Sequence, residues 1–269
     1  MRPVVYFFQF YIKSSIHPAL AVTSLSLTTL LQFDQSIDLL VLFFIFSATI
    51  ITYNFIKYAV VAKYYVLVKN AEIKKIQNLS FLVGFFAVLS FLQLSKQTQI
   101  AAFLFGLMSL LYALPFPFQK QNFRNQWGAK IYIVALCWSG VSVALPLADS
   151  HLWDSCFFWS TWLQRYLLII VWMLPFEIRD IKIDPPTLKT IPQQIGIKKT
   201  VILGIVLLSF CLLLSIVFSK ALFADIGMLL LTTIFLIKSA KNQSTYFSSF
   251  WVESLPVFWL GLYVMALFL

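Results

Sequence analysis

Residues 162–184 read WLQRYLLIIVWMLPFEIRDIKID, an apolar segment that ends in a short run of charged residues. With the apolar residues before it, the segment is long enough to cross a bilayer as a helix, which takes about 20 residues. On such a helix Asp180 and Asp184 lie one turn apart on the same face, and Glu177 can share that face. Like charges this close repel each other, so the spacing suggests a divalent cation such as Mg²⁺, which also binds phosphates.

The acidic run has two interpretations. Arg179 and Lys182 flank the aspartates and would be able to contact a phosphate directly. The same two residues would also be able to pair with the acids at a solvated helix end, which is a structural role. Spacing alone does not separate a ligand site from an ordinary network of ion pairs.

The composition indicates a polytopic membrane protein. Of the 269 residues, 61% are hydrophobic and only 11% are charged, whereas a soluble domain is about 25% charged. We therefore predict one all-α integral membrane domain covering residues 1–269. Cys137, Cys156 and Cys211 do not have the spacing of a metal site or of a disulfide framework.

The apolar segments predict about nine transmembrane helices. The first and the fourth are short, and an interfacial helix from Tyr6 to Lys13, turning at Pro18, is expected before the first. The predicted spans are Ala19–Phe33, Leu39–Val61, Leu79–Leu94, Ile100–Leu114, Ala129–Leu147, Phe157–Phe176, Val201–Phe218, Leu222–Ile237 and Phe250–Phe268.

The basic residues predict the orientation. With nine spans, all but Lys96, Arg165 and Lys220 of the 20 lysines and arginines fall at the N-terminus or on the side of the even-numbered loops. The positive-inside rule places that side in the cytoplasm, so we expect a multi-pass protein of a bacterial inner membrane with a cytoplasmic N-terminus. Because this asymmetry explains the net charge of +10, no nucleic-acid partner is needed. The opposite side also holds five acidic residues, Asp34, Asp38, Asp149, Asp154 and Asp225.

The acidic run and the residues after it resemble the second aspartate-rich motif of the UbiA-type prenyltransferase superfamily. Asp180 and Asp184 are followed by Lys-Thr-Ile-Pro at 189–192 and then by Gly196. The resemblance implies a UbiA-like fold of about nine helices around a central cavity. It also implies Mg²⁺ as a cofactor that holds an isoprenoid diphosphate, whose prenyl group passes to a lipophilic acceptor. Asp180 and Asp184 would be the catalytic and metal-binding residues, with Glu177 as a further metal ligand.

Two other stretches carry the resemblance more loosely. Residues 111–115, LYALP, followed by Lys120 and Arg124, are similar to the fourth span of the family and to the basic segment after it. Residues 53–58, YNFIKY, are similar to what remains of the first aspartate-rich motif. The diphosphate-binding residues that the resemblance implies are Asn54, Lys57, Lys120, Arg124 and Arg179.

The first aspartate-rich motif is degenerate. The family carries an Asp four residues after the Asn, but the residue four positions after Asn54 is Tyr58, and no carboxylate occurs between Asp38 and Glu72. Either one acidic motif suffices, or Lys57 replaces the charge of a metal ion, or the protein does not ionise diphosphates. Structural roles are also open, because a buried Asn often bridges two helices and a Lys near a helix end often extends to the membrane surface.

The sequence therefore predicts a UbiA-like intramembrane prenyltransferase whose second acidic motif holds Mg²⁺. The alternative is a non-catalytic membrane subunit with the same fold, or a protein that binds an isoprenoid lipid. The partners expected in either case are the lipid bilayer and an isoprenoid compound.

Overall fold

A computed structural model describes residues 3–62, 70–113, 128–240 and 243–268 of the chain. These ranges contain helices and no β-strand, which confirms the predicted all-α class. The α-helices are α1 Pro3–Lys13, α2 Ile16–Gln32, α3 Leu39–Ala62, α4 Ala71–Gln93, α5 Lys96–Ala113, α6 Ala129–Ser139, α7 Cys156–Asp180, α8 Ile191–Ile195, α9 Ile197–Phe218, α10 Leu222–Ser239 and α11 Leu255–Ala266. A π-helical turn, Gly140–Ala144, extends α6, and another, Phe247–Val252, precedes α11.

Each predicted span coincides with a helix in the part of the chain that the structure describes: α2 to α7, and α9 to α11. By length and composition alone, six of these helical segments are long and apolar enough to cross a membrane. The segments based on α2, α5 and α6 are shorter or less apolar. Large apolar side chains on the outer helices, such as Phe81 and Phe85 on α4, are more than 60% exposed, as expected for a surface that faces lipid.

The chain turns between α1 and α2 at a different place from the one predicted. A short N-terminal helix is present, but the break falls at Ser14 and Ser15, and Ser15 has a left-handed backbone conformation with φ of 62°. Pro18, the predicted turning point, lies in the first turn of α2 instead. Proline is tolerated there because the backbone N–H groups of a first turn have no partner within the helix.

Two residues that the charge distribution assigned to the outer side are buried inside the bundle. The side chain of Arg165 on α7 has no exposed surface, and that of Asp225 on α10 is 2% exposed. The Arg165 guanidinium lies 4.3 Å from the ring centre of Trp259, whose Nε1 donates to Asp225 Oδ1 at 3.0 Å. Arg165 Nη2 also donates to the side chains of Thr29 and Gln32. Partners on several helices compensate this buried charge only in part, because Arg165 Nε and Nη1 have no hydrogen-bond partner among the described residues.

Helix α7 occupies the middle of the bundle. It packs against α6, α9 and α10, and its residues Leu168–Leu174 belong to the main hydrophobic core. The C-terminal end of this helix carries the acidic run. The packing of α7 in the middle of the bundle therefore determines where Glu177 and Asp180 lie.

Candidate functional site

A cavity of about 300 Å³ lies between α3, α5, α6, α7 and the turn that precedes α11; we call it the main cavity. Its volume is at the lower end of the range of small-molecule sites. Aromatic side chains from four helices line it: Tyr53, Tyr112, Trp138, Trp172 and Phe176. The π faces of such rings attract cations, and the rings exclude water.

Charged side chains gather at one end of the main cavity. They are Lys130, Glu177, Arg179, Asp180 and Glu253, and we call them the charged end. They come from the start of α6, the end of α7 and the residue that follows the π-helical turn before α11. The main cavity therefore combines an apolar, aromatic part with a polar end.

Arg179 and Asp180 bind each other within the charged end. Arg179 Nε and Nη2 donate to the two carboxylate oxygens of Asp180 at 2.7 and 2.8 Å. The Arg179 guanidinium also lies 5.3 Å from the ring centre of Phe176. The structural interpretation of the acidic run thus holds for this pair, and a metal ion at Asp180 would have to compete with Arg179.

Two carboxylate oxygens in the acidic run are buried without a hydrogen-bond partner among the described residues: Glu177 Oε1 and Asp184 Oδ2. The other Glu177 oxygen accepts from the backbone N–H of Ile191 at 3.2 Å, and the residue is 1% exposed. Lys130 Nζ lies 3.9 Å from Asp184 Oδ2, which is an ion pair without a hydrogen bond. Buried acceptors without partners are unfavourable, so a cation, a proton or water is expected at these atoms.

The segment after α7 folds back onto the acidic run through local hydrogen bonds. The helix ends at Asp180, whose carbonyl accepts from the backbone N–H of Asp184 at 2.8 Å, and the two prolines that follow prevent the helix from continuing. At the start of α8 the Thr190 N–H donates to Gln193 Oε1 at 3.0 Å, and the Gln193 amide donates to the Asp184 carbonyl at 3.0 Å. The Lys-Thr-Ile-Pro tail therefore positions the acidic run.

A glycine brings α6 against the same segment. The Gly128 N–H donates to the carbonyl of Leu188 at 2.7 Å, and Gly128 has a φ of 66°, which favours glycine. A Cβ atom at this position would lie 2.9 Å from the Lys189 carbonyl oxygen. This close approach places Lys130, two residues later, beside Asp184.

The fit of the acidic run to Mg²⁺ is partial. Glu177 Oε1 and Asp184 Oδ2 are oxygen acceptors of the type that Mg²⁺ prefers, and both lack hydrogen bonds. Asp180 is engaged by Arg179. Within the described ranges, no group of three or more His, Cys, Asp or Glu residues is arranged to hold a metal ion. The assignment of Asp180, Asp184 and Glu177 as metal ligands stays a prediction.

Asn54 and Lys57 contact neighbouring helices and do not line the main cavity. Asn54 is buried, and its Nδ2 donates to Ser80 Oγ on α4 at 2.9 Å. Lys57 Nζ donates to Ser15 Oγ at 3.0 Å and to the carbonyl of Ile12 at 3.4 Å. Both contacts agree with the structural roles that the sequence left open, and a role of either residue in diphosphate binding stays a prediction.

Lys120 and Arg124, the other predicted phosphate ligands from the loop after α5, lie outside the described residues. The structure adds two charged residues that were not singled out, Lys130 and Glu253. Lys130 was only one of the basic residues from which the orientation was predicted. The sequence does contain a signal for Glu253, which is the one acidic residue in the C-terminal predicted span. An acidic residue within a span often has a function.

The comparisons with known proteins show the fold. No family model and no curated protein matches the chain. A structure solved in work on digeranylgeranylglyceryl phosphate synthase in membranes is similar, with a TM-score of 0.57 over 97% of this chain and 96% of that one. The sequence identity is 15%, so the likeness concerns the fold alone. It confirms the UbiA-like membrane fold that the sequence predicted.

Proposed function

We propose that this chain is a UbiA-like intramembrane prenyltransferase, which transfers the prenyl group of an isoprenoid diphosphate to a lipophilic acceptor. The observation that carries the proposal is the two-part main cavity, with an aromatic part joined to a charged end. An isoprenoid diphosphate has the same two parts, an apolar chain and an anionic head. The likeness in fold to a protein named as a synthase of a geranylgeranyl lipid is consistent with this class of substrate.

The aromatic part of the main cavity suits the prenyl chain and the charge that develops on it. When the bond to the diphosphate breaks, positive charge appears on the allylic carbon, and the ring faces of Tyr112, Trp172 and Phe176 stabilise it. The same rings exclude bulk water, which would otherwise capture the cation. The acceptor then attacks the allylic carbon, and as the new bond forms its proton passes to the released diphosphate.

The charged end suits the diphosphate. Lys130 and Arg179 would contact its oxygens through charge-assisted hydrogen bonds. Glu177 Oε1 and Asp184 Oδ2 would hold Mg²⁺, and Asp180 would join them when Arg179 turns from its carboxylate to the diphosphate. When bound, Mg²⁺ neutralises the negative charge that accumulates on the leaving diphosphate.

A second candidate function is a non-catalytic subunit or an isoprenoid-lipid-binding protein with the same fold. The observations that favour it are the pairing of Arg179 with Asp180 and the absence of a carboxylate from the first motif, where Asn54 bonds to Ser80. Such a site would bind an isoprenoid while supplying less stabilisation to the leaving group.

Turnover by the purified protein separates the two candidates. Detergent-solubilised protein is incubated with labelled geranyl, farnesyl or geranylgeranyl diphosphate, a membrane lipid extract as the acceptor source, and Mg²⁺. The enzyme proposal predicts diphosphate release and a prenylated lipid, both dependent on Mg²⁺ and both lost in Asp184→Asn. The matched control is Asp154→Asn, which changes an exposed acidic residue outside the acidic run. Binding without turnover would support the second candidate, and neither binding nor turnover would contradict both.

A further inference from the structure

A second cavity, of about 90 Å³, adjoins the main cavity; we call it the inner cavity. The two cavities have five lining residues in common, and these form their boundary: Thr52, Tyr53, Ser109, Cys137 and Trp138. The other described residues that line the inner cavity are apolar, apart from Thr49 and Gly106, and none of them is charged. The inner cavity is therefore an apolar space directly beyond the main one.

The inner cavity lies farther from the charged end along three helices. On α3 the residues that line the main cavity extend to Ile56, whereas those that line the inner cavity extend back to Phe44. On α5 the corresponding residues are Tyr112 for the main cavity and Ala102 for the inner cavity. On α6 and its π-helical extension the lining advances from Lys130 toward Leu145. Because a helix rises about 1.5 Å per residue, the stretch of α3 from Tyr53 to Phe44 adds roughly 13 Å of depth. A chain whose head lies at the charged end would point toward the inner cavity.

Tyr53 and Trp138 stand between the two cavities and hold each other in place. Trp138 Nε1 donates to the Tyr53 hydroxyl at 2.7 Å, and the two rings meet edge to face with centres 6.1 Å apart. Each polar atom thereby has a partner inside an apolar region, which keeps both rings in one orientation. The pair forms a partition between α3 and α6.

We infer that the Tyr53–Trp138 partition forms the end wall of the prenyl site and limits the length of the chain that it accepts. The inference rests on the proposed function, since it concerns the apolar part of the same ligand. With the partition in place, the ligand has about 300 Å³, and without it the inner cavity adds about 90 Å³. The protein therefore selects a short prenyl chain, and loss of the partition shifts the preference to a longer one.

The test is the affinity for a series of non-hydrolysable ligands of increasing length. Geranyl, farnesyl and geranylgeranyl thiodiphosphates are titrated with Mg²⁺ into the wild type, Trp138→Leu and Tyr53→Phe. We expect the wild type to favour the shortest ligand and Trp138→Leu to shift the ratio of affinities toward the longest by about tenfold or more. Tyr53→Phe keeps the ring but loses the hydrogen bond, so its shift should be smaller and in the same direction.

A matched control removes a different tryptophan of the same region. Trp162→Leu also deletes an indole whose Nε1 donates to a hydroxyl, that of Ser139, but Trp162 lines neither of the two cavities. It should leave the length preference unchanged. If Trp138→Leu does not fold, Trp138→Phe opens the partition partly and takes its place.

A second series keeps the inference separate from the proposed function. The n-alkanols from octanol to hexadecanol vary in chain length but carry no diphosphate. If the alkanols show a length limit and Trp138→Leu extends it, the result would support the partition even if no thiodiphosphate binds. The failure of the thiodiphosphates to bind would then count against the proposed function alone. The inference is overturned if the wild type shows no length preference, or if Trp138→Leu and Trp162→Leu behave alike.

Discussion

Arg179→Met should raise the affinity of the protein for a divalent cation, if Asp180 is a metal ligand. In the structure both oxygens of Asp180 accept hydrogen bonds from Arg179, at 2.7 and 2.8 Å. A metal ion can use this carboxylate only after the pair separates. The substitution removes the competing donor and also removes one positive charge, and both changes favour a cation.

The expected gain in metal affinity follows from the strength of the ion pair between Arg179 and Asp180. A hydrogen bond to a charged group contributes about 1.5–3 kcal/mol when buried, while an exposed ion pair contributes about 0–1 kcal/mol. The side chains of Arg179 and Asp180 are 33% and 20% exposed, between these limits. We therefore place the pair at about 1–2 kcal/mol, which corresponds to a roughly 5- to 30-fold gain in metal affinity.

The measurement is Mn²⁺ binding followed by electron paramagnetic resonance, with competition by Mg²⁺, on the wild type and the variant. Lys182→Met is the control, because it removes a neighbouring positive charge but leaves the pair between Arg179 and Asp180 intact. Its affinity should change much less than that of Arg179→Met. An unchanged or weaker metal affinity in Arg179→Met would show that Asp180 is not a ligand and that the pair is purely structural.

In a cysteine-free background, a thiol introduced at Lys189 should resist an impermeant reagent in intact cells and one at Ser150 should react; labelling at Lys189 would reverse the predicted orientation. Lys57→Ala should lower the melting temperature, because Lys57 donates to Ser15 Oγ and to the Ile12 carbonyl and so holds α1 and α3 together. A loss of thiodiphosphate affinity of more than about twofold in the same variant would support the predicted role of Lys57 as a ligand, and a smaller change would leave it a structural residue. Asp225→Asn should destabilise the protein by about 1–3 kcal/mol in detergent unfolding, because it removes the buried negative charge that accepts from Trp259 beside Arg165. A loss well below about 1 kcal/mol would show that the charge of Asp225 does not stabilise this buried network.

The positions of the helices were predictable from sequence because hydropathy reports directly on the environment of each segment. Every predicted span coincides with a helix in the described ranges. The end of α7 was predictable only approximately, since Pro185 and Pro186 prevent a helix from continuing past Asp184, but α7 already ends at Asp180 and Asp184 lies outside the helix. The turn at Ser15 was missed because Pro18 is the stronger local signal, although proline is acceptable in a first turn.

The partners of the charged residues were not predictable, because they come from distant parts of the chain. Lys57 bonds to Ser15 through the packing of α3 on the N-terminal helices. Lys130 meets Asp184 only because Gly128 allows a close contact between two segments. Periodicity and spacing describe the face of one helix, whereas a site depends on which faces meet.

The central claim is that the main cavity holds an isoprenoid diphosphate with its head at the charged end. The most direct test is an experimental structure of the protein with geranyl thiodiphosphate and Mg²⁺. We predict that the diphosphate contacts Lys130 and Arg179, that the metal ion contacts Asp184, and that the prenyl chain extends toward Trp138. A ligand bound outside the main cavity, or a prenyl chain that points away from Trp138, would contradict the claim.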